Sequence, residues 1–417
     1  MQKVKVLVPS YWEKFICIGS ACEDNCCEAN WDIYLDKNTY NLYRGIKDPL
    51  FQEQFKERVK RVKNDKADDK NYAKMLLDED GKCKWLENGM CAIQLKYGFK
   101  YLCSTCLLFP RKQLKNFFGI LESALSMACP EAIRVGLYPE EPMTFTVIEL
   151  ENTHSRSLAA LPVSSFNENI NILARHAPVL RKNCIEIMQT RTLSVANRIF
   201  ATGVMLNKLR EISDTGNYDA APAVAAQYVE AVKQGQFNDL LSTFADNEEI
   251  KASIKEHLFN SALSLEREGK YSFKNFIPCV ERLAVKLKKK PEEIIQLELS
   301  EMVESAASKF WADFLERRSH VLENYFVNYI FGNAFPFALP LGIQHQILLM
   351  AEAYALFRIL LCSPAEADGY ITEENIIRTI TDIFRHTSHS SMINKLTETY
   401  IITGMDSLAH VSFMLRD

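Results

Sequence analysis

The run Cys17-Ile18-Gly19-Ser20-Ala21-Cys22-Glu23-Asp24-Asn25-Cys26-Cys27 puts four thiols into eleven residues. Five more follow at Cys83, Cys91, Cys103, Cys106 and Cys129, so nine of the chain's 12 cysteines fall between residues 17 and 129. The other three, Cys184, Cys279 and Cys362, are isolated. A single cysteine is usually a small core residue, but a dense cluster asks for another explanation. The N-terminus, MQKVKVLVPSYWEKF, lacks the apolar run of roughly 7–15 residues that a signal peptide needs. A cytoplasmic location follows as the expectation, and thiols stay reduced there. Clustered thiols in that setting point to metal binding or redox chemistry rather than to disulfides.

The identity of the metal follows from the donors. No histidine precedes His154, so residues 1–135 offer an all-sulfur shell. Soft thiolates suit iron–sulfur clusters or a Cys₄ zinc. Structural zinc prefers tidy CxxC pairs, and the only one here is Cys103/Cys106. The irregular first knot therefore favours an iron–sulfur centre of the 4Fe-4S kind, with zinc as the alternative. Cys129-Pro130 is like the end of some iron–sulfur ligand runs.

Outward from the cysteines, the chain of 417 residues corresponds to two or three domains at about 150 residues each. With 47% hydrophobic and 24% charged residues it can bury a real core, which excludes disordered and low-complexity classes. A net charge of −4 argues against a general nucleic-acid binder. The longest apolar stretch, Ile347 to Cys362, is interrupted by Glu352 and Arg358, so it reads as a buried helix rather than a membrane span of about 20 residues.

Residues 1–135 form the cysteine-rich region, with strand-like pieces at Val4–Val8 and Trp31–Leu35 and a charged helix over roughly Pro49 to Lys74. A connection containing Pro139, Pro142 and Pro162 follows over 136–167. From 168 to 417 the pattern is helical. Leu193, Ala196, Ile199, Phe200, Leu206 and Leu209 share one face of a 3.6-residue period. Thr192 suits the start of that helix and Gly216 its stop. Pro291-Glu292-Glu293, Ser363-Pro364-Ala365-Glu366 and Thr372-Glu373-Glu374 carry further helix-start signals. The expected fold is mainly α: a small, irregular, cysteine-rich metal-binding region packed on an all-α helical domain.

The motifs also carry a resemblance. The run from Phe15 to Tyr40, Gly81 to Leu86, Cys91 to Gln94, Thr105 to Arg111 and Cys129 to Ala132 resembles the flagellin lysine-N-methylase family. Leu322 to Tyr329 and Phe335-Pro336-Phe337 resemble that family's helical domain. The first knot is also similar to a family of small zinc- or iron-chelating proteins. Carried over residue by residue, the family's cysteines fall on Cys17, Cys22, Cys26, Cys27, Cys83, Cys91, Cys106 and Cys129. Cys103 stands where serine is expected and counts as an extra thiol, and Lys84-Trp85 stand where the family tends to have Pro-Phe.

The resemblance implies transfer of methyl groups from S-adenosylmethionine to lysine side chains of flagellin. The attacking amine must be neutral, so the site must desolvate it or supply a base. Glu23, Asp24 and Asp32, beside the first knot, are candidates for that role, against the plainer reading that they cap turns. Trp31 and Arg111 are candidates for holding the donor, by stacking and by pairing with its carboxylate. Asn324 and Asn328, also candidates for cofactor binding, share a helix face and either line an interdomain cleft or satisfy buried backbone. No two glycines are separated by one residue, and there is no CxxxCxxC run, so the common donor-binding fingerprints are absent. A non-enzymatic metal-binding module on a helical scaffold is the alternative.

Overall fold

The computed structural model describes residues 3–28, 31–63, 68–112, 115–117, 120–151, 161–162, 172–244, 247–254, 257–258, 281, 284–285, 287–290, 293, 296–337, 341–389 and 392–416. The chain divides into two compact units. The first is Met1–Ala132 with Phe145–Pro162, and the second is Ile133–Thr144 with Val163–Asp417.

In the first unit, β1 (Lys3–Pro9) alternates valine with other residues, and Val6 and Val8 are fully buried. β1 pairs in parallel with β8 (Ile120–Glu122), Val6 opposite Leu121, and antiparallel with β9 (Phe145–Glu151), Val6 opposite Ile148. β7 (Lys115–Phe117) and β10 (Leu161–Pro162) complete a five-stranded sheet ordered β10-β7-β8-β1-β9. The stretch expected to be a connection, 136–167, therefore contributes a seven-residue strand to this sheet. Its run of Phe, Val, Ile and Leu between charged residues gives it strand character.

A second, aromatic core lies in the same unit. Asp36 caps α1 (Lys37–Arg44) by accepting the Thr39 amide at 2.9 Å, and Asp48 caps α2 (Pro49–Arg58), with Pro49 in the first turn. One turn apart on α2, Phe51 and Phe55 bury against Tyr43, and Phe51 stacks on Trp85 with ring centroids 5.2 Å apart. The charged helix expected to reach Lys74 ends at Arg58. There β-branched Val59 turns the chain into β3 (Val59–Arg61), which pairs with β4 (Ala73–Met75), itself paired with β2 (Tyr34–Leu35).

The second unit is helical among its described residues. It holds α6 (Ala177–Met188), α7 (Val195–Asp214), α8 (Ala221–Lys233), α9 (Gln296–Gly332), α10 (Gln346–Asp368), α11 (Glu373–His389), α12 (Met392–Ile402) and α13 (Leu408–Leu415). Mainly-α architecture is thus the observed class. Ser194 rather than Thr192 caps α7, its hydroxyl accepting the Asn197 amide at 3.2 Å. Gly216, at φ +75°, follows the end of that helix as expected. Ser363–Glu366 opens no helix: Pro364 lies inside α10, which runs on to Asp368 and stops at Gly369 with φ +79°. Thr372 does start α11, accepting the Asn375 amide at 3.0 Å. Pro291 and Glu292 lie outside the described residues, as does Cys279.

The central element is α10, which packs against α7, α9, α11 and α13. Its apolar stretch Ile343–Cys362 is long and apolar enough to cross a membrane, but 89% of that window is buried inside the protein, as expected for a core helix. Gly203 on α7 lets α10 approach: a Cβ there would sit 3.0 Å from Ile347.

Two buried charges mark this unit. Glu323, 1% exposed, accepts from Arg198 at 2.7 Å and from both Nε and Nη2 of Arg191. Arg198 is itself buried and also donates to the carbonyls of Met188 and Leu193. Breaking a buried pair leaves an uncompensated charge. Glu323→Ala should lower unfolding stability by about 3–5 kcal/mol, read by urea denaturation, with no comparable loss for Glu316→Ala on the exposed part of the same helix.

Glu352 is the opposite case. Its side chain is fully buried, and neither carboxylate oxygen has a hydrogen-bond partner among the described residues. Burial pushes its carboxyl up to about 8, with the phenols of Tyr329 and Tyr400 in electrostatic reach. The unfolded chain ionises this group near pH 4.3, so between there and about 8 the folded form keeps a proton that the unfolded form gives up. Stability should therefore fall as pH rises through that window, by on the order of 5 kcal/mol, and Glu352→Gln should flatten the fall. Thermal unfolding midpoints at pH 5 and pH 8.5 for both proteins check the sign.

Candidate functional site

The thiols are assembled by short local structures within the first unit. β5 (Leu86–Glu87) and β6 (Met90–Cys91) form a hairpin around Asn88-Gly89, whose φ values of 52° and 75° match the pair of left-handed residues that a tight primed turn requires. The first knot fastens onto this turn. Asn25 donates from Nδ2 to the Gly89 carbonyl at 2.8 Å, and its Oδ1 accepts the Cys27 amide at 3.0 Å. Gly19, at φ +59°, lies so close that a Cβ would stand 2.4 Å from the Met90 sulfur. The Cys83 amide donates to the Cys27 carbonyl at 2.8 Å, which ties the second cysteine stretch to the first.

Three further sulfurs sit at the starts of short helices. Cys91 precedes α3 (Ala92–Tyr97), and the amides of Ile93 and Gln94 approach its sulfur without closing a full cap. Cys103 precedes α4 (Ser104–Leu108) and faces the amides of Thr105 and Cys106. Cys129 precedes α5 (Pro130–Leu137) and faces those of Glu131 and Ala132. Amides aimed at a sulfur favour the thiolate, the form that binds metal.

A cavity of about 530 Å³ opens over this assembly. Seven sulfurs line it: Cys17, Cys22, Cys26, Cys27, Cys91, Cys106 and Cys129. Cys83 and Cys103, both buried, are absent from the lining. Aromatic walls come from Trp12, Phe15, Phe99 and Phe109, and Met90, Arg111 and Asp24 complete the parts used below. The cysteines described, 17 through 129 and also Cys184 and Cys362, are all free thiols.

Cys26 is the electrostatic centre: Cys22, Cys27, Cys83, Cys91, Cys106 and Cys129 all lie in its range. Burial pushes Cys83 up to about 11 and Cys129 up to about 12, and raises Cys22 and Cys91 as well. Cys27 is raised by its hydrogen bond with Cys26, then by burial. Cys103 and Cys106 share a hydrogen bond that lowers Cys103 and raises Cys106. Without a compensating cation, only some of these sulfurs can ionise together. Among the described residues no three His, Cys, Asp or Glu side chains stand close enough to grip a single metal ion as they are placed.

The other expected site residues fall in different places. Asp24 lines the cavity and Glu23 is exposed outside its lining. Asp32 is also exposed, pairing with Lys74 at 2.5 Å and accepting from the Tyr34 hydroxyl, away from the lining. Trp31 is half-buried, edge-on to Phe109 with centroids 5.0 Å apart, and its buried Nε1 has no hydrogen-bond partner among the described residues. Arg111 lies on the cavity wall with its guanidinium 4.8 Å from the Trp12 ring and 5.3 Å from that of Phe15. No carboxylate among the described residues pairs with it. Asn324 and Asn328 belong to the second unit. Asn324 donates to the carbonyls of Leu137 and Pro139, at 3.1 and 2.9 Å, so its amide satisfies backbone within the second unit. Sequence reasoning passed over Asn25, Gly19 and Met90, although the Asn88-Gly89 dipeptide between two short apolar runs did signal the turn they converge on.

The thiol-lined cavity in one unit and the helical second unit together carry the expected family pattern. The family model described as the FliB lysine N-methylase C-terminal domain matches residues 181–414, and the chain belongs to that family, which makes it a protein-lysine methyltransferase by class. It is 22% identical over 411 residues to a lysine-N-methylase of Salmonella typhimurium, covering 97% of this chain and 96% of the relative. The lysine-N-methylase of Salmonella choleraesuis is equally similar, 22% over 412 residues. A flagellar biosynthetic protein FliU of Salmonella muenchen is 32% identical over 133 residues, 31% of this chain and 76% of the relative. No solved structure matches the chain.

The contact of the first knot with the hairpin can be tested alone. Gly19→Ala places a methyl group against Met90 and strains a left-handed backbone, so it should lower stability by about 1–2 kcal/mol. Met90→Ala added to it should restore part of that loss in thermal unfolding, because it removes the collision and leaves the backbone strain.

Proposed function

We propose that this protein methylates lysine side chains of flagellin with S-adenosylmethionine, and that the cavity over the cysteines binds the donor beside an iron–sulfur centre. The observation that carries this reading is the coincidence in one cavity of seven sulfurs, aromatic walls and a guanidinium that no carboxylate among the described residues pairs with. Its volume falls within the roughly 300–1,000 Å³ of pockets that enclose small molecules.

The donor set suits a cluster by its chemistry: it is all sulfur, unoxidised and crowded enough to need positive charge. A multi-atom cluster holds its ligands farther apart than a single ion does, because iron and sulfide fill the space between them. The seven sulfurs line one cavity of about 530 Å³. When bound, such a centre would supply positive charge and an iron site able to hold the amino-acid end of the donor.

The remaining roles belong to the chain. Arg111 pairs with the donor's carboxylate, held in place by the Trp12 and Phe15 rings. Phe99 and Phe109 supply ring surface for the donor's base and exclude water from the sulfonium. The lysine nitrogen attacks the methyl carbon in line. An N–C bond forms, the S–C bond breaks, and the sulfonium leaves as a neutral thioether. Asp24, on the cavity lining, accepts the proton that the amine gives up.

Anaerobically prepared protein incubated with labelled S-adenosylmethionine and flagellin should transfer label to lysine, read by peptide mass. Arg111→Ala should raise the donor KM by roughly 10-fold or more, in keeping with the loss of a charge-assisted contact of ~1.5–3 kcal/mol, while circular dichroism stays unchanged. No transfer by the metal-loaded wild type would sink the enzymatic reading in favour of a metal-binding module.

A further inference from the structure

We infer that the exposed apolar side chains at the mouth of the thiol-lined cavity, Ile16, Ile18, Leu95 and Phe99, form the docking surface for the protein substrate and select lysines whose neighbours in the substrate are apolar. The inference rests on the reading of this cavity as the place of methyl transfer, and adds to it how the lysine is chosen.

The mouth is marked by the lining residues that solvent reaches. Of the residues that line the cavity, Cys17, Gln94 and Phe99 are exposed and the rest are buried or half-buried. A large exposed apolar side chain stands at each. Ile16 and Ile18, 76% and 37% exposed, flank Cys17; Leu95, 63% exposed, follows Gln94; Phe99 is itself 56% exposed. Single apolar side chains on a surface are ordinary. Gathered on two segments that border one cavity, they form a patch of the kind that marks a docking site.

Local structure holds both segments in place. Phe15 turns into the cavity wall, and Gly19, at φ +59° and close against Met90, fixes the chain just after Ile18. Two residues beyond Met90 the chain enters α3, which carries Gln94 and Leu95. Gly98, at φ +81°, ends that helix with its amide on the Gln94 carbonyl at 2.9 Å, and the turn leaves Phe99 in solvent. A surface set by such turns exists before a partner arrives, which lowers the ordering cost of docking.

The occupant follows from the reaction class and from charge. A protein-lysine methyltransferase takes its amine from a protein surface, so the mouth of the reacting cavity must meet that surface. Glu23 and Asp24, on the same knot as Ile16 and Ile18, set negative charge beside the patch, which suits the ammonium of an incoming lysine. The same charge disfavours a lysine flanked by acids.

Two fluorescein-labelled peptides, alike except that a central lysine has leucine and valine or serine and threonine beside it, are titrated with the full chain and read by anisotropy. Wild type is expected to bind the apolar peptide about 10-fold more tightly, the scale of one or two apolar side chains leaving water. The triple variant Ile16→Asn, Ile18→Asn, Leu95→Asn is expected to bring the two affinities together with an unchanged circular dichroism spectrum, and Leu95→Asn alone to narrow the gap. Ile402→Asn, at an 83% exposed apolar position in the second unit, is expected to leave the preference as in wild type. Methyl transfer to the same peptides should show the preference in KM while kcat holds. Equal binding of the two peptides by wild type, or a triple variant that keeps the preference, overturns the inference. A wild type that dimerises in gel filtration, made monomeric by the triple variant and showing no peptide preference, also overturns it, because the patch then seats a second copy. Preferential binding without methyl transfer supports the docking surface and overturns the proposed chemistry.

Discussion

Crowded sulfur is the constraint on which the first unit depends. Six cysteines lie in the electrostatic range of Cys26, and burial raises most of them. Each thiolate formed there makes the next harder to form. The chain answers locally by aiming backbone amides at Cys83, Cys91, Cys103 and Cys129. Amides carry partial charges and cannot neutralise a whole set, and the iron–sulfur centre proposed above would supply the missing positive charge.

The second unit solves a different problem with familiar means. Its core is organised around one helix, α10, whose apolar surface is covered on several sides. Polar groups enter that core in two ways. Glu323 arrives with two arginines and is fully paired. Glu352 arrives with no hydrogen-bond partner among the described residues and takes the neutral form at moderate pH. The contrast follows from the cost of burying charge: a paired ion can persist, whereas a lone carboxyl keeps its proton.

Reading the chain worked where the signal was local and failed where two signals competed. The Asp36 and Asp48 caps, the alternating valines of β1 and the stop at Gly216 all act within a few residues. The helix read through to Lys74 failed because charge mixing gives no boundary, while Val59 prefers the strand that β4 offers. Residues 145–151 looked like connection because they sit between prolines, but β1 supplies them with a partner from the far end of the unit. Pro364 looked like a start and is instead tolerated near the end of a well-packed helix. At the site, Asp24 and Arg111 fell on the cavity, whereas Asp32 and Asn324 went to Lys74 and to backbone carbonyls.

By itself the amino-acid sequence determined which side chains crowd the first unit and what class of fold follows, because residue type and spacing alone set them: sulfur without histidine in the first third, and helical periodicity in the rest. Its motifs also pointed to the family. Tertiary structure alone decided which sulfurs face the cavity and which sit in the core. It also placed Gly19 against Met90 and joined Arg198 to Glu323. Those relations pair residues more than sixty positions apart, and no local pattern encodes which distant side chain will arrive when the core closes.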